Sequence, residues 1–263
     1  MPPVFRSLAV SLLLFFLFPF MGPGQTLPPE ISVFSQEAFQ GHPQIHCGSP
    51  LGSRRMAFGS NFRVLIHYGE GIDYVDIGEG KAVFSMDLAS NGLLYLGGRS
   101  LIGRIVPDSL GRLRYRSLKE QLPDSLQDLG IIWDTWCDPK GGVYFNAEER
   151  LFLYREDSMH VIRPEEKFYS LHTPDGRPVI HERKKGFYRI EGKRTQHLEG
   201  SKAFAGAAVR AVLPAPNDER DWTVVTKSKG LFHFDPGSGS VDAFWDGDAE
   251  LLVGQPHVAG VEA

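Results

Sequence analysis

The chain has 263 residues, of which 42% are hydrophobic and 23% charged, and its formal net charge is −4 at pH 7. This length suffices for one large domain or two small ones, and a charge balance without a basic stripe provides no electrostatic basis for binding nucleic acid. The 29 glycines and 18 prolines favour many short strands joined by turns over long helices.

The N-terminus has the charge and hydropathy pattern of a secretory signal peptide. Arg6 supplies one positive charge, Leu8 to Phe18 is an uncharged apolar run, and Gly22 and Gly24 form a small-x-small cleavage site. The run is shorter than the roughly 20 residues that a membrane-spanning helix needs. We therefore predict a cleaved signal peptide at 1–24 and a periplasmic, exported protein. The alternatives are a buried N-terminal helix and an uncleaved membrane anchor.

A strand-turn-strand pattern recurs along the rest of the chain. Each copy has an apolar strand, a polar turn containing Asp or Gly, a second strand of aromatic and β-branched residues, and then a third strand. The copies are Ile45 to Gly78, Val83 to Leu118, Ile132 to Asp157, Lys167 to Leu198 and Val209 to Trp245.

The spacing of these copies predicts the fold. The second strands are aligned on Ala57, Tyr95, Tyr144, Val179 and Val224, which gives a mean period close to 42 residues. That period, with three to four short strands per copy, is typical of the blade of a β-propeller, in which neighbouring blades cover each other's apolar faces. We predict an all-β protein, a β-propeller of about five four-stranded blades that can form an incomplete ring. The alternative is a large β-sandwich.

The repeats also divide the chain. The predicted order is a signal peptide (1–24), an N-terminal segment (25–44), the propeller repeats (45–245) and a C-terminal tail (246–263). Within the N-terminal segment, Ile31 to Phe39 is a candidate closing strand for the last blade.

The two cysteines are predicted to be free thiols. Cys47 and Cys137 fall in repeats that are not neighbours, and neither has the paired spacing of a zinc site or a redox motif. A single disulfide between them is the alternative.

The repeat resembles the propeller unit of the two-component-regulator family of bacterial periplasmic sensors. The strongest match is KSKGLFHFDPGSGSVDAF, from Lys227 to Phe244, and the order of the segments after FSQEAFQGHPQIHCG is similar to the family order. The resemblance spans Ile31 to Trp245. It implies a propeller that detects an extracellular signal such as a glycan breakdown product and acts on a downstream signalling module. Family propellers generally have about seven blades, so the chain is expected to be an N-terminal portion of such a sensor.

No catalytic or metal-binding motif is found in the sequence. There is no nucleophile elbow, HExxH motif or phosphate-binding loop. His42 and His46 are four residues apart, but a Gly and a Pro nearby argue against the helix that would bring them together. The aspartates of the turns are expected to cap their own backbone rather than to bind calcium. We predict no catalytic residues, no metal and no cofactor.

The best candidate for a ligand site is the start of the third copy. Trp133, Asp134 and Trp136 place two indoles beside a carboxylate, a combination suited to stacking on a sugar. The alternative is that at least one of the tryptophans belongs to the core between blades. Two charged segments, Arg183 to Lys185 and Asp218 to Asp221, are predicted to be solvated turns.

These features predict a non-catalytic propeller that binds a ligand in the periplasm, as part of a two-component-type or transcriptional regulator. The expected partners are a glycan or another small extracellular ligand and a downstream signalling domain, with a homodimer as a further option and no contact with nucleic acid. Two other functions remain open: an envelope propeller that binds other proteins, and a propeller enzyme such as a lyase or glycosidase.

Overall fold

Five antiparallel sheets make up the computed structural model, which describes residues 44–69, 71–216 and 218–244. These residues belong to the second of two compact units, 39–263. The predicted signal peptide, the N-terminal segment up to residue 43 with its candidate closing strand, and the tail from residue 245 lie outside the described residues.

Each sheet consists of four strands that follow one another in chain order. Blade 1 contains β1 (Ile45–Pro50), β2 (Arg55–Ser60), β3 (Arg63–Tyr68) and β4 (Gly71–Asp76). Blade 2 contains β5 (Val83–Leu88), β6 (Leu94–Gly98), β7 (Leu101–Pro107) and β8 (Leu113–Ser117). Blade 3 contains β9 (Ile132–Cys137), β10 (Val143–Ala147), β11 (Arg150–Arg155) and β12 (Ser158–Ile162).

The last two blades repeat this order. Blade 4 contains β13 (Phe168–His172), β14 (Val179–Glu182), β15 (Gly186–Glu191) and β16 (Arg194–His197). Blade 5 contains β17 (Val209–Ala215), β18 (Asp218–Thr226), β19 (Leu231–Phe234) and β20 (Val241–Phe244). Short 3-10 turns at Lys119–Gln121, Asp124–Leu126 and Ser201–Phe204 lie in the connections between blades.

The predicted repeat is confirmed strand by strand. The five residues used to align the copies lie on β2, β6, β10, β14 and β18, the second strand of each blade, and all are at most 4% exposed: Ala57, Tyr95, Tyr144, Val179 and Val224. Because the second strand lies inside its sheet and has blades packed on it, it takes the apolar and aromatic residues that made the copies recognisable.

The first strands of the blades form the inner side of the array. Strand β5 packs beside β1 and β9, and β13 packs beside β9 and β17. The blades therefore follow one another as in a β-propeller, and the five described blades form an arc that is not closed into a ring. The expected all-β propeller of about five blades is confirmed, and so is the incomplete ring.

The hydrophobic core is divided among the four contacts between neighbouring blades. One apolar cluster lies at each contact, and the aromatic pairs on β11 and β19 each point to a single cluster, as their alternation predicts. Phe152 and Tyr154 lie in the cluster between blades 2 and 3, and Phe232 and Phe234 in the cluster between blades 4 and 5. Each blade therefore depends on its neighbour to bury its apolar face.

The turn aspartates cap their own backbone, as expected. In four turns the carboxylate accepts a hydrogen bond from the backbone N–H two residues later. The pairs are Asp108 with Leu110, Asp138 with Lys140, Asp175 with Arg177, and Asp235 with Gly237, at 2.7 to 3.2 Å.

Of the remaining predictions about single segments, two are confirmed and one is wrong. Cys47 and Cys137 are free thiols in blades 1 and 3, as predicted. Residues 183–185 form the hairpin turn between β14 and β15, and Lys184 and Lys185 form ion pairs with Glu166 and Glu165 from the segment before β13. The prediction of a charged turn at Asp218 to Asp221 is wrong, because these residues begin β18 and extend its pairing with β17.

Within 44–69, 71–216 and 218–244, no helix is long and apolar enough to cross a membrane. Over the same residues, no group of three or more His, Cys, Asp or Glu side chains could hold a metal ion.

Candidate functional site

The first strand of every blade contains a β-bulge at its second residue. At this point the pairing with the second strand skips one residue, so the extra residue has no partner in the ladder. A bulge of this kind bends the strand and redirects the side chain. The five extra residues, which we call the bulge row, are His46, Phe84, Trp133, Tyr169 and Arg210.

In most blades the residue before the bulge is buried, whereas the side chain at the bulge is accessible. In blades 2 to 5 the residue before the bulge is at most 2% exposed: Val83, Ile132, Phe168 and Val209. By contrast, four members of the row are exposed and Phe84 is half-buried. The row thus presents aromatic and basic side chains at the same position of five neighbouring strands.

Three members of the row form a continuous aromatic surface across blades 1 to 3. The His46 ring meets Phe84 edge-on with centroids 4.9 Å apart, and Phe84 stacks on Trp133 at 5.6 Å with an angle of 19° between the planes. Tyr169 instead packs edge-on against His181 of its own blade, at 5.8 Å. These contacts hold the rings in place, while the Trp133 side chain stays partly accessible to solvent.

Backbone hydrogen bonds hold adjacent blades together at the end of the array where the row lies. At each contact, the turn between the second and third strands of one blade bonds to the segment that leads into the next inner strand. The pairs are Phe62 with Lys81, Ser100 with Gly130, Glu148 with Phe168, and Arg183 with Gly206. The row is therefore placed on a rigid part of the backbone, as a binding surface requires.

A cleft of about 320 Å³ lies beside Trp133. It is lined by residues 128–131 from the connection into blade 3, by Trp133, and by residues 147–150 from the turn between β10 and β11. Its polar groups are mostly carboxylates, from Asp128, Glu148 and Glu149. Two cations accompany them: Arg150 lies 3.9 Å from Glu149, and Lys167 lies 3.5 Å from Glu148. The cleft therefore combines an accessible indole with several hydrogen-bond acceptors.

Of the three predicted site residues, Trp133 lies at this surface. It is 44% exposed, occupies the bulge and lines the cleft.

Asp134 points away from the surface and has its own structural partners. Its Oδ2 accepts hydrogen bonds from Asn146 Nδ2 at 2.7 Å and from the backbone N–H of Leu171 in blade 4 at 3.0 Å. Burial raises the pKa of this carboxyl to about 6. The side chain therefore links blades 3 and 4.

Trp136 belongs to the core between blades. Its ring stacks on Tyr144 with centroids 5.7 Å apart and packs against the apolar cluster shared by blades 3 and 4. This matches the alternative reading, in which at least one of the two tryptophans serves packing.

Sequence reasoning missed His46, Phe84, Tyr169 and Arg210. Three of the four are aromatic, but all four lie on first strands, whereas the copies were aligned on their second strands. The available signal was their position: each follows the first apolar residue of an inner strand by one.

Solved structures with a similar fold are β-propellers. The WD40 β-propeller domain of Doa1 has a TM-score of 0.57 and 14% identity over 76% of this chain and 68% of its own. A streptogramin B lyase has a TM-score of 0.57 and 13% identity over 75% and 67% of the two chains. The inactive H270A virginiamycin B lyase from Staphylococcus aureus, solved with quinupristin, has a TM-score of 0.57 and 14% identity over 73% and 67%. At this identity the likeness shows the fold alone.

No protein-family model matches the chain, and no curated protein matches it.

Proposed function

We propose that this chain is a non-catalytic ligand-binding propeller that holds an uncharged oligosaccharide against the bulge row. The observation that carries the proposal is the exposed indole of Trp133 on a fixed bulge, stacked on Phe84 and open to an acidic cleft. An indole covers the apolar face of a sugar ring, and carboxylates accept hydrogen bonds from its hydroxyl groups.

The arrangement suits an extended ligand. The contacting rings of His46, Phe84 and Trp133 cross three blades, so a chain of sugar units could contact more than one of them. The carboxylates of Asp128, Glu148 and Glu149 lie to one side of this surface and would bind the hydroxyl groups of the unit at Trp133.

The binding step is tested by calorimetric titration with a panel of neutral oligosaccharides. We expect saturable binding by the native chain and a loss of affinity of roughly thirtyfold or more in Trp133→Ala, because truncating a central tryptophan commonly costs about 2 kcal/mol or more. The matched control is Leu110→Ala, which removes an exposed apolar side chain from the turn between β7 and β8 and should leave the affinity unchanged.

Two outcomes would count against this function. A flat response to every glycan would favour the alternative of an envelope propeller that binds other proteins. Release of a shortened or unsaturated product from a bound oligosaccharide would favour the lyase or glycosidase alternative.

Export and signalling form the wider part of the proposal. The signal-peptide pattern at 1–24 supports a periplasmic location, and the order of the repeats supports a role as the sensing portion of a two-component-type or transcriptional regulator. N-terminal sequencing of the protein recovered from the periplasm tests the location. A mature chain that begins near Gln25 is expected, and retention of Met1 in the cytoplasm would contradict it.

A further inference from the structure

A second cavity lies at the other end of the contact between blades 2 and 3. Its volume is about 500 Å³, and its walls come from the turns that follow β5, β9 and β11, together with β6, β7 and β11 themselves. Since the bulge row lies where the inner strands begin, and these turns lie where β5 and β9 end, the two sites are on opposite ends of the array.

Basic side chains and two phenol rings line this cavity. Arg104, Lys140 and Arg155 contribute three cations, and Tyr95 and Tyr154 contribute the rings. Arg155 already has partners, because its Nε donates to the Gly141 carbonyl at 2.8 Å and its guanidinium lies 3.4 Å from Asp138. The other two cations, Arg104 and Lys140, each have a group without a partner among the described residues.

Arg104 has an unused hydrogen-bond donor. Its guanidinium lies over the ring of Tyr154, 5.9 Å from the centroid, and its Nε is buried without a hydrogen-bond partner in the part of the chain that the structure describes. A buried donor without a partner is costly, and for a charged group more so. The exposed Arg116 lies directly opposite Arg104 on β8, and this second positive charge adds to the cost.

Lys140 supplies a second unpaired charge. Its ammonium group has no ion-pair partner within 44–69, 71–216 and 218–244, although it borders the same cavity. Two acidic residues, Glu156 and Asp157, also line the cavity. Asp157 accepts a hydrogen bond from Tyr154 Oη at 2.5 Å and is close enough to Arg104 for the two charges to attract each other, and Arg104 also bonds to the side chain of Tyr95. The Nε donor of Arg104 still has no partner among the described residues.

The turn that carries these acids is strained. Glu156 and Asp157 have φ values of 51° and 53°, a left-handed conformation that non-glycine residues adopt at a cost. A hairpin turn of this type usually takes Asn-Gly or Asp-Gly. The hydrogen bond from Tyr154 Oη to Asp157 connects this turn to β11 at the rim of the cavity.

We infer that this cavity is a binding site for a small ligand bearing an oxyanion, such as a carboxylate, sulfate or phosphate group. Arg104 and Lys140 bind the oxyanion, and Asn91 and Glu156 at the rim bind neutral polar groups of the same ligand. The inference is independent of the function proposed for the bulge row, because no residue is shared between the two sites.

The test compares ligands that differ only in charge. Titrations with glucuronate, glucose, sulfate and inorganic phosphate are followed by calorimetry or by amide chemical shifts. We expect saturable binding of glucuronate with weaker or no binding of glucose, and sulfate or phosphate should compete if the oxyanion alone provides the affinity. If glucuronate binds and the inorganic ions do not compete, the ligand is an organic acid rather than a free inorganic anion.

The variants locate the site. Arg104→Gln and Lys140→Gln should each weaken glucuronate binding by roughly tenfold, because each removes a hydrogen bond to a charged group. Lys140 is on an exposed turn, so its substitution keeps the test valid if the Arg104 variant does not fold. Lys229→Gln removes the same charge from an exposed position in blade 5 and is the matched control.

Two results would overturn the inference. One is equal affinity for glucose and glucuronate. The other is glucuronate binding that survives in Lys140→Gln but is lost in Trp133→Ala, because the ligand would then bind at the bulge row.

Discussion

At the scale of single residues, two carboxylates on inner strands hold neighbouring blades together. Asp87 on β5 accepts a hydrogen bond at 2.7 Å from the backbone N–H of Cys137 in blade 3, and Asp134 on β9 accepts one at 3.0 Å from Leu171 in blade 4. The same strand that presents Trp133 to solvent is thus fixed to the next blade by the residue that follows it. Asp134 supports the site without lining it.

The Asp134 carboxyl makes part of the stability depend on pH. Burial raises its pKa to about 6, above the value near 4 of an unfolded chain, so the native state binds more protons between these values. This residue therefore lowers the free energy of unfolding as the pH rises from about 4 to about 6, by roughly 3 kcal/mol. Asp134→Asn should remove that decline relative to the native chain in urea denaturation at pH 4 to 7. Parallel pH profiles for the two proteins would contradict the assignment.

His181 has the opposite effect. The side chain is fully buried between blades 4 and 5, burial lowers its pKa to about 4, and its hydrogen bond to the Phe204 carbonyl only partly offsets this. Its contribution to stability is complete above the unfolded value of about 6.5 and is lost as the pH falls towards 4. We expect His181→Gln to flatten the acid branch of the stability profile by up to roughly 3 kcal/mol. An unchanged acid branch would show that this imidazole does not titrate on unfolding.

At the scale of strands, the site depends on bulges and on close approach between blades. Gly97 on β6 faces the inner strand of blade 3, and a Cβ atom there would lie 2.5 Å from Ile132 Cγ2 and from Thr135 Oγ1. The missing side chain lets β9 approach β6 closely enough for Ser85 and Thr135 to bond across the contact at 2.8 Å. The position of the Trp133 bulge therefore depends on a glycine in the preceding blade.

Gly97→Ala should push blades 2 and 3 apart. We expect a loss of about 1–3 kcal/mol in the free energy of unfolding, the usual cost of overpacking. Gly48→Ala is the matched control: it also lies in a strand, and its nearest neighbours would be 3.6 Å away, an ordinary contact. Equal stability of the two variants in urea denaturation would count against a close approach at Gly97.

The strands could be predicted from sequence, whereas the bulge row could not. Strand positions follow from local alternation and from turn residues, so Tyr95 and Val179 identified second strands that pair and pack as expected. A bulge depends on how two strands pair, so the apolar residue before each row member marks the row only once that pairing is known. For the same reason Trp133 and Trp136 looked equivalent in the sequence, although the inserted residue sends one to solvent and the other into the core.

At the scale of the whole molecule, stability comes from contacts between blades. The four apolar clusters each join neighbouring blades, so no blade buries its core alone. Trp222 shows this at the last contact: it is fully buried, its ring lies 5.6 Å from Phe234 and 6.4 Å from Phe187, and the Arg189 guanidinium lies 5.1 Å from the ring.

Trp222→Ala should destabilise the array as a unit. Removing this side chain should cost about 3–5 kcal/mol, and unfolding should remain a single transition because the blades share their cores. Leu213→Ala in the same blade is the control, since Leu213 is 51% exposed and its truncation should have little effect. Two separate transitions in calorimetry of the tryptophan variant would mean that blade 5 unfolds independently.

Ligand binding at the bulge row is the central claim, and it depends on features at all three scales. The side chains of the row are exposed, its strands are bulged and its blades are neighbours. Hydrogen–deuterium exchange of the native chain, with and without the oligosaccharide that binds tightest, tests this claim most directly. The account predicts slower exchange around His46, Phe84 and Trp133 on three successive inner strands, with the outer strands β8 and β12 unchanged. Protection confined to the outer strands, or to one blade without Trp133, would contradict the claim that the bulge row is the ligand-binding surface.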